Sequence, residues 1–171
     1  MFIAIISDVH DNLANLDKVL NYCKKNKIKE IICCGDLASL ETLDYLNDNF
    51  FGKIYFVFGN MDKDYFKEKF ISFQKEPILY KQTSIFLKQG KISLDNQKIA
   101  FTHFPQKAQS LCLSKKYDFV FYGHTHKPWQ EKKDNCILLN PGNVANQIYP
   151  PSFALWNTEN NNFQLVKINS L

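Results

Sequence analysis

The 171-residue chain contains no arginine, and all 21 of its basic residues are lysine. Against 17 acidic residues they leave a net charge of +4, carried partly by the scattered pairs Lys24-Lys25, Lys115-Lys116 and Lys132-Lys133. Nucleic-acid recognition leans on clustered Arg and Lys and on bidentate guanidinium contacts, so this charge reads as a solvated surface and argues against a nucleic-acid partner. The five cysteines (Cys23, Cys33, Cys34, Cys112, Cys136) are odd in number and show no C-x-x-C spacing. That argues against a disulfide framework and a zinc ribbon, and all five are expected to be reduced, small apolar residues. The longest apolar runs, such as Phe2 to Ile6 and Phe119 to Tyr122, fall far short of the about 18 residues a membrane helix needs. Met1 leads directly into a strand-like stretch without a basic n-region, which predicts no secretory signal and a cytoplasmic location.

What is present is a globular composition: 45% hydrophobic residues, with 15 Phe and 8 Tyr. The length suits one domain over residues 1–171, with no linker, repeat or low-complexity block. Short apolar runs alternate with amphipathic stretches, the pattern of an α/β domain. Strands are predicted at Phe2 to Ile6, Ile31 to Cys34 and Ile54 to Phe58. Helices are predicted from Asn12 to Asn26, over Leu40 to Leu46, and as a brief charged turn near Lys63 to Lys69. The middle then reads as hairpins over Ile78 to Leu87, Ile92 to Leu94 and Ile99 to Phe101, followed by a helix from Gln106 to Lys116. Strands at Phe119 to Tyr122, Cys136 to Leu139, Phe153 to Trp156 and Phe163 to Ile168 complete the chain, and Lys127 to Asn135 is left without an assignment.

Histidine is also scarce, and its four positions share a context. His10 follows the first strand in Asp8-x-His10, His103 ends a β-segment, and His124 and His126 follow another in Gly123-His124-x-His126. Gly35-Asp36 and Gly59-Asn60 follow the second and third strands, and Asn140-Pro141-Gly142-Asn143 follows a later one. Ligands of α/β sheets collect where strand C-termini and their loops converge. In extended backbone, residues two apart face one side, so Asp8 with His10, and His124 with His126, are expected to reach one pocket. Glycines 35, 59 and 123 are expected to let the chain turn sharply beside these residues. The set Asp8, His10, Asp36, Asn60, His103, His124 and His126 mixes imidazole, carboxylate and amide without thiolate, which suits a catalytic divalent metal. It is too large for one ion with an open position and fits two ions sharing a carboxylate, with Asp36 as the bridge.

In this order, these motifs resemble those of the calcineurin-like metallophosphoesterase superfamily across nearly the whole chain, and especially its small bacterial and archaeal phosphodiesterase branch, which also contains Vps29. The resemblance implies a four-layer αββα sandwich of two mixed β-sheets flanked by helices. It implies one metal held by Asp8, His10, Asp36 and His126, and a second held by Asp36, Asn60, His103 and His124. The metals are expected to be Mn²⁺ first, with Zn²⁺, Fe²⁺, Ni²⁺ or Co²⁺ as alternatives. The implied activity is hydrolysis of a small phosphate ester, foremost a diester, by attack of a metal-bridging hydroxide, with Asp36, Asn60 and His103 carrying the catalysis.

Many members place a histidine directly after the asparagine, where it helps protonate the leaving group. Here that position is Met61, which cannot donate a proton. With no guanidinium in the chain, phosphate binding would fall to the metals, Asn60, backbone N–H groups and lysine, with Asn12 and Asn143 as further candidate contacts. The alternative reading is a Vps29-like protein-binding scaffold with a vestigial or structural metal site. A patch around Phe50, Phe51, Phe66, Phe70 and Phe73 is a candidate surface for such a partner, and a homo-oligomer is also allowed.

Overall fold

A computed structural model describes residues 1–62, 69–70 and 75–171. Strands β1 (Phe2–Ile6), β2 (Glu30–Cys33), β3 (Lys53–Val57) and β5 (Thr83–Phe86) run parallel in the centre of a seven-stranded sheet. Its edges are antiparallel: β4 (Ile78–Tyr80) pairs with β5, and β11 (Ser152–Asn157) and β12 (Asn162–Lys167) follow β1. A second, five-stranded sheet has the order β6 (Gly90–Leu94), β7 (Gln97–Phe101), β8 (Phe119–Phe121), β10 (Cys136–Asn140) and β9 (Trp129–Lys133). Its β7, β8 and β10 are parallel.

Side-chain alternation divides the core into three layers. Ile3, Ile5, Ile32, Val57, Ile99, Phe101, Phe121 and Trp156 face one another between the sheets. Ala4, Ile6, Ile31, Cys33, Ile54 and Phe56 point the other way, onto helices α1 (Leu13–Lys25) and α2 (Leu40–Asn49). Ala100, Val120 and Leu138 cover the outer face of the second sheet against α3 (Pro105–Leu113). This is the αββα sandwich. Strands buried on both faces need apolar residues at every position, which is why β1 reads Phe-Ile-Ala-Ile-Ile without alternation.

Several expectations need correction. Strand β9, Trp-Gln-Glu-Lys-Lys, lies in the unassigned stretch; it is an edge strand with little buried surface, so no apolar signal marks it. Phe50 and Phe70 of the aromatic patch are core residues, leaving Phe51 at 76% exposure; Phe66, Phe73 and most of the expected Lys63 to Lys69 helix lie outside the described residues. The cysteines are not all reduced. Cys112 on α3 and Cys136 on β10 form a disulfide with Cα atoms 5.7 Å apart, while Cys23, Cys33 and Cys34 are free and buried. An odd count leaves one thiol over but does not forbid a pair, and the packing of α3 on β10 brings these two together.

Closing a loop between residues 24 apart stabilises mainly by restricting the unfolded chain, here by about 3 kcal/mol. Urea unfolding with and without reductant is therefore expected to differ by about that amount. Identical midpoints would show that the bond contributes nothing.

Candidate metal centre

The loops that leave β1, β2 and β3 are laced together beyond the strand ends. Asp8 N–H donates to Gly35 O at 3.0 Å, Val9 N–H to Asp36 O at 2.8 Å and His10 N–H to Asp36 O at 3.1 Å. Across the sandwich, Gly123 N–H donates to His103 O at 3.1 Å, which ties the β8 loop to the end of β7. All seven predicted ligands thereby meet on one edge, with Asp8, Asp36, His103 and His126 buried.

Their atoms fall into two overlapping groups. Asp8 Oδ1 lies 3.3 Å from His126 Nε2 and 3.8 Å from His10 Nε2. Asp36 Oδ2 lies 3.7 Å from His10 Nε2 and 3.2 Å from His103 Nε2, so it touches both groups. Asn60 Oδ1 is 3.0 Å from both His103 Nε2 and His124 Nδ1, and those nitrogens are 3.2 Å apart.

The protons available do not satisfy this arrangement. His103 Nδ1–H donates to Cys34 O at 2.9 Å, and His126 Nδ1–H donates to Gln147 O at 3.2 Å, which leaves each neutral ring with a lone pair on Nε2. His10 Nε2 is buried without a hydrogen-bond partner among the described residues. Acceptors that face one another with too few hydrogens repel unless a cation lies among them, so the donor set fits divalent metal. Ligand atoms of Asp8, His10 and His126, and of Asp8, Asp36 and His103, lie within 4.8 Å of one another. Burial opposes ionisation of Asp8, but the neighbouring His10 and His126 rings outweigh it and hold its carboxyl well below the usual range. Burial likewise disfavours charge on His103, yet the Asp36 carboxylate and the charge of Asp8 raise its pKa. Asp8 raises that of His126.

Extended backbone is not what brings Asp8 together with His10, or His124 with His126. Asp8, His10, Asp36, His124 and His126 are not extended; their φ angles of 54°, 45°, 58°, 70° and 59° are left-handed. Asp and His tolerate that region better than most residues, and such conformations concentrate at functional sites. Of Gly35, Gly59 and Gly123, Gly35 (φ 102°) is the one needed for its backbone angle. Gly59 and Gly123 serve close approach: a Cβ on Gly123 would sit 2.7 Å from Asp8 Oδ2, and one on Gly59 2.8 Å from Asp36 N.

Asn12 and Asn143 do not present free amides to a ligand. Asn12 caps α1, accepting from Asn15 N–H at 3.1 Å and donating to Ala145 O at 3.0 Å. Asn143 is fully buried, donating to His126 O and Tyr149 O and accepting from Gln147 N–H. Both position the loops around His126. Asp62, which no sequence motif singles out, joins two of the loops that carry the candidate ligands. Its buried carboxylate accepts from the N–H groups of Asp36 (2.6 Å), Gly59 (2.8 Å) and Ala38 (2.9 Å) and so joins the β2 and β3 loops. Burial pushes its pKa up to about 6, against the pull of those N–H groups.

Residues 1–161 match the calcineurin-like phosphoesterase superfamily domain. The chain is 28% identical over 169 residues to phosphodiesterase MJ0936 of Methanocaldococcus jannaschii, covering 96% of this chain and 97% of that one. A solved structure of an archaeal phosphodiesterase superposes with a TM-score of 0.80 at 26% identity, covering 98% of this chain and 99% of that one. Vacuolar protein sorting-associated protein 29 of Schizosaccharomyces pombe is 27% identical over 156 residues, covering 85% and 73%. A seven-residue imidazole, carboxylate and amide cluster at one edge of an αββα sandwich, matched along nearly its full length, means that the chain belongs to the calcineurin-like phosphoesterase superfamily.

Proposed function

We propose that this protein is a dinuclear-metal-dependent phosphodiesterase acting on a small phosphate ester. The observation that carries the reading is the completeness of the ligand set: every donor is present and converges, including the orphaned His10 Nε2. Asp8, His10, Asp36 and His126 would hold one ion and Asp36, Asn60, His103 and His124 the other, with Asp36 shared. When bound, such ions neutralise phosphate charge and lower the pKa of a coordinated water. Mn²⁺ is the first candidate, since carboxylate and amide oxygen donors suit it, with Zn²⁺, Fe²⁺, Ni²⁺ or Co²⁺ as alternatives that the imidazoles also suit.

The chain's own groups do the rest. Asn60 turns Oδ1 toward the two imidazoles, which frees its N–H groups to hold a phosphate oxygen. His103 and His126 are oriented by carbonyl acceptors, so neither ring must reorganise as substrate binds. Met61 is 41% exposed and its N–H donates to Asp36 Oδ1 at 2.9 Å; its thioether supplies no proton to a departing alkoxide. The family match over residues 1–161, and two core layers that share β1 between them, support treating the chain as one domain. Placement in the cytoplasm, expected from the sequence, requires that Cys112 and Cys136 be kept reduced there. Among the described residues no helix is long and apolar enough to cross a membrane.

The scaffold reading keeps one supporting observation, the likeness to Vps29, and it separates cleanly from the enzyme by experiment. Mn²⁺ at a hundredfold excess over its dissociation constant should stabilise the fold by about 2.7 kcal/mol and support hydrolysis of bis(p-nitrophenyl) phosphate. Asp36→Ala should lose both. Metal-induced stabilisation with no turnover of diesters, monoesters, cyclic nucleotides or dinucleotides would favour the scaffold.

Because proton delivery is weak, rates on a series of aryl and alkyl diesters should fall steeply as leaving-group pKa rises. Met61→His should rescue the poor leaving groups, by up to about 10²-fold. A rate insensitive to leaving-group pKa in the wild type would refute this account of Met61.

A further inference from the structure

The loop between β10 and β11 passes His126 in an unusual backbone state. Ile148 has a φ of 63°, a left-handed value that is an outlier for a β-branched residue, and Asn146 shares it. Tyr149 N–H donates to Gln147 O at 2.7 Å, which closes a three-residue turn on Ile148. With a positive φ at its centre, this is the strained form of the γ-turn. Packing of the isoleucine side chain does not hold it, since Ile148 is 85% exposed. The fully buried Asn143 does, accepting from Gln147 N–H at 3.0 Å and donating to Tyr149 O at 3.1 Å, one bond at each end of the turn. The same side chain donates to His126 O at 3.3 Å, and Ala145 N–H donates to Asp8 O at 2.9 Å, so the loop is fixed to the backbone of two candidate ligands. Backbone strain that neighbours over-determine concentrates where geometry is used. Here the turn directs one group: Gln147 O, which takes the Tyr149 N–H, also accepts from His126 Nδ1 at 3.2 Å.

We infer that Ile148 is a positioning residue: its left-handed turn aims the Gln147 carbonyl at His126 Nδ1 and so keeps the Nε2 lone pair facing Asp8. The proton on Nδ1 fixes the tautomer, and the fixed tautomer makes Nε2 a ready metal donor. The inference rests on the metal-centre reading and adds to it a residue outside the candidate ligand set.

Two substitutions separate the turn from the side chain. Ile148→Gly keeps access to positive φ, whereas Ile148→Pro locks φ near about −65° and forbids the turn. Long-range proton–nitrogen NMR of the full chain in EDTA, with the ring neutral, reads the His126 tautomer without metal or substrate. Wild type and Ile148→Gly are expected to carry the proton on Nδ1, and Ile148→Pro to move a measurable share of it to Nε2. Titration with Mn²⁺ followed by EPR is expected to give an affinity within about threefold of wild type for Ile148→Gly and about 10- to 100-fold weaker for Ile148→Pro. A proton on Nε2 in the wild type overturns the assignment, as does loss of the Nδ1–H tautomer in Ile148→Gly. So does an Ile148→Pro protein that matches wild type in both readouts. A wild type that holds the Nδ1–H tautomer yet binds no Mn²⁺ would keep the role of the turn and reject the dinuclear-metal reading.

Discussion

The structure is organised around a repulsion. Two carboxylates, four imidazoles and an amide oxygen meet at separations of 3.0 to 3.8 Å, with the Nδ1 protons of His103 and His126 directed outward to carbonyl groups. Buried charge without compensation is among the most costly features a fold can carry. Against the opposing effect of burial, the carboxylates of Asp8 and Asp36 raise the pKa of His103 and the His10 and His126 rings lower that of Asp8, so opposite charges offset one another within the cluster.

Holding these groups together is the work of the surrounding sandwich. The parallel strands β1, β2 and β3 are packed on both faces, so their C-terminal ends cannot slide apart without opening two core layers at once. Left-handed backbone at Asp8, His10 and Asp36 is held by the cross-loop hydrogen bonds from Asp8, Val9 and His10. Gly59 and Gly123 matter for the space they leave, since any side chain would displace the carboxylates of Asp36 and Asp8.

Much of this could be read from the sequence, because it rests on residue identity. Double-sided burial produced the unbroken apolar runs of β1 and β8, and metal chemistry restricts ligands to few side chains, so all seven candidates do converge. What failed depended on three-dimensional proximity or on weak local signals. The i, i+2 rule assumed extended chain where Asp8 to His10 and His124 to His126 are left-handed. Cys112 and Cys136 meet only through packing of a helix on a sheet. Strand β9 has no apolar face to announce it, and Asn12 and Asn143 were indistinguishable from ligand contacts until their partners were known.

Asp62 and Asn143 gather backbone groups of several loops onto single side chains, and neither is among the proposed ligands. In many small metalloproteins the ion is itself the nucleus around which the chain condenses. Here the loops of β2 and β3, and those around His126, are joined by a carboxylate and an amide that lie outside the candidate ligand set. The candidate ligands are therefore set in place by the protein's own hydrogen bonds, a socket whose shape is cut by the fold itself.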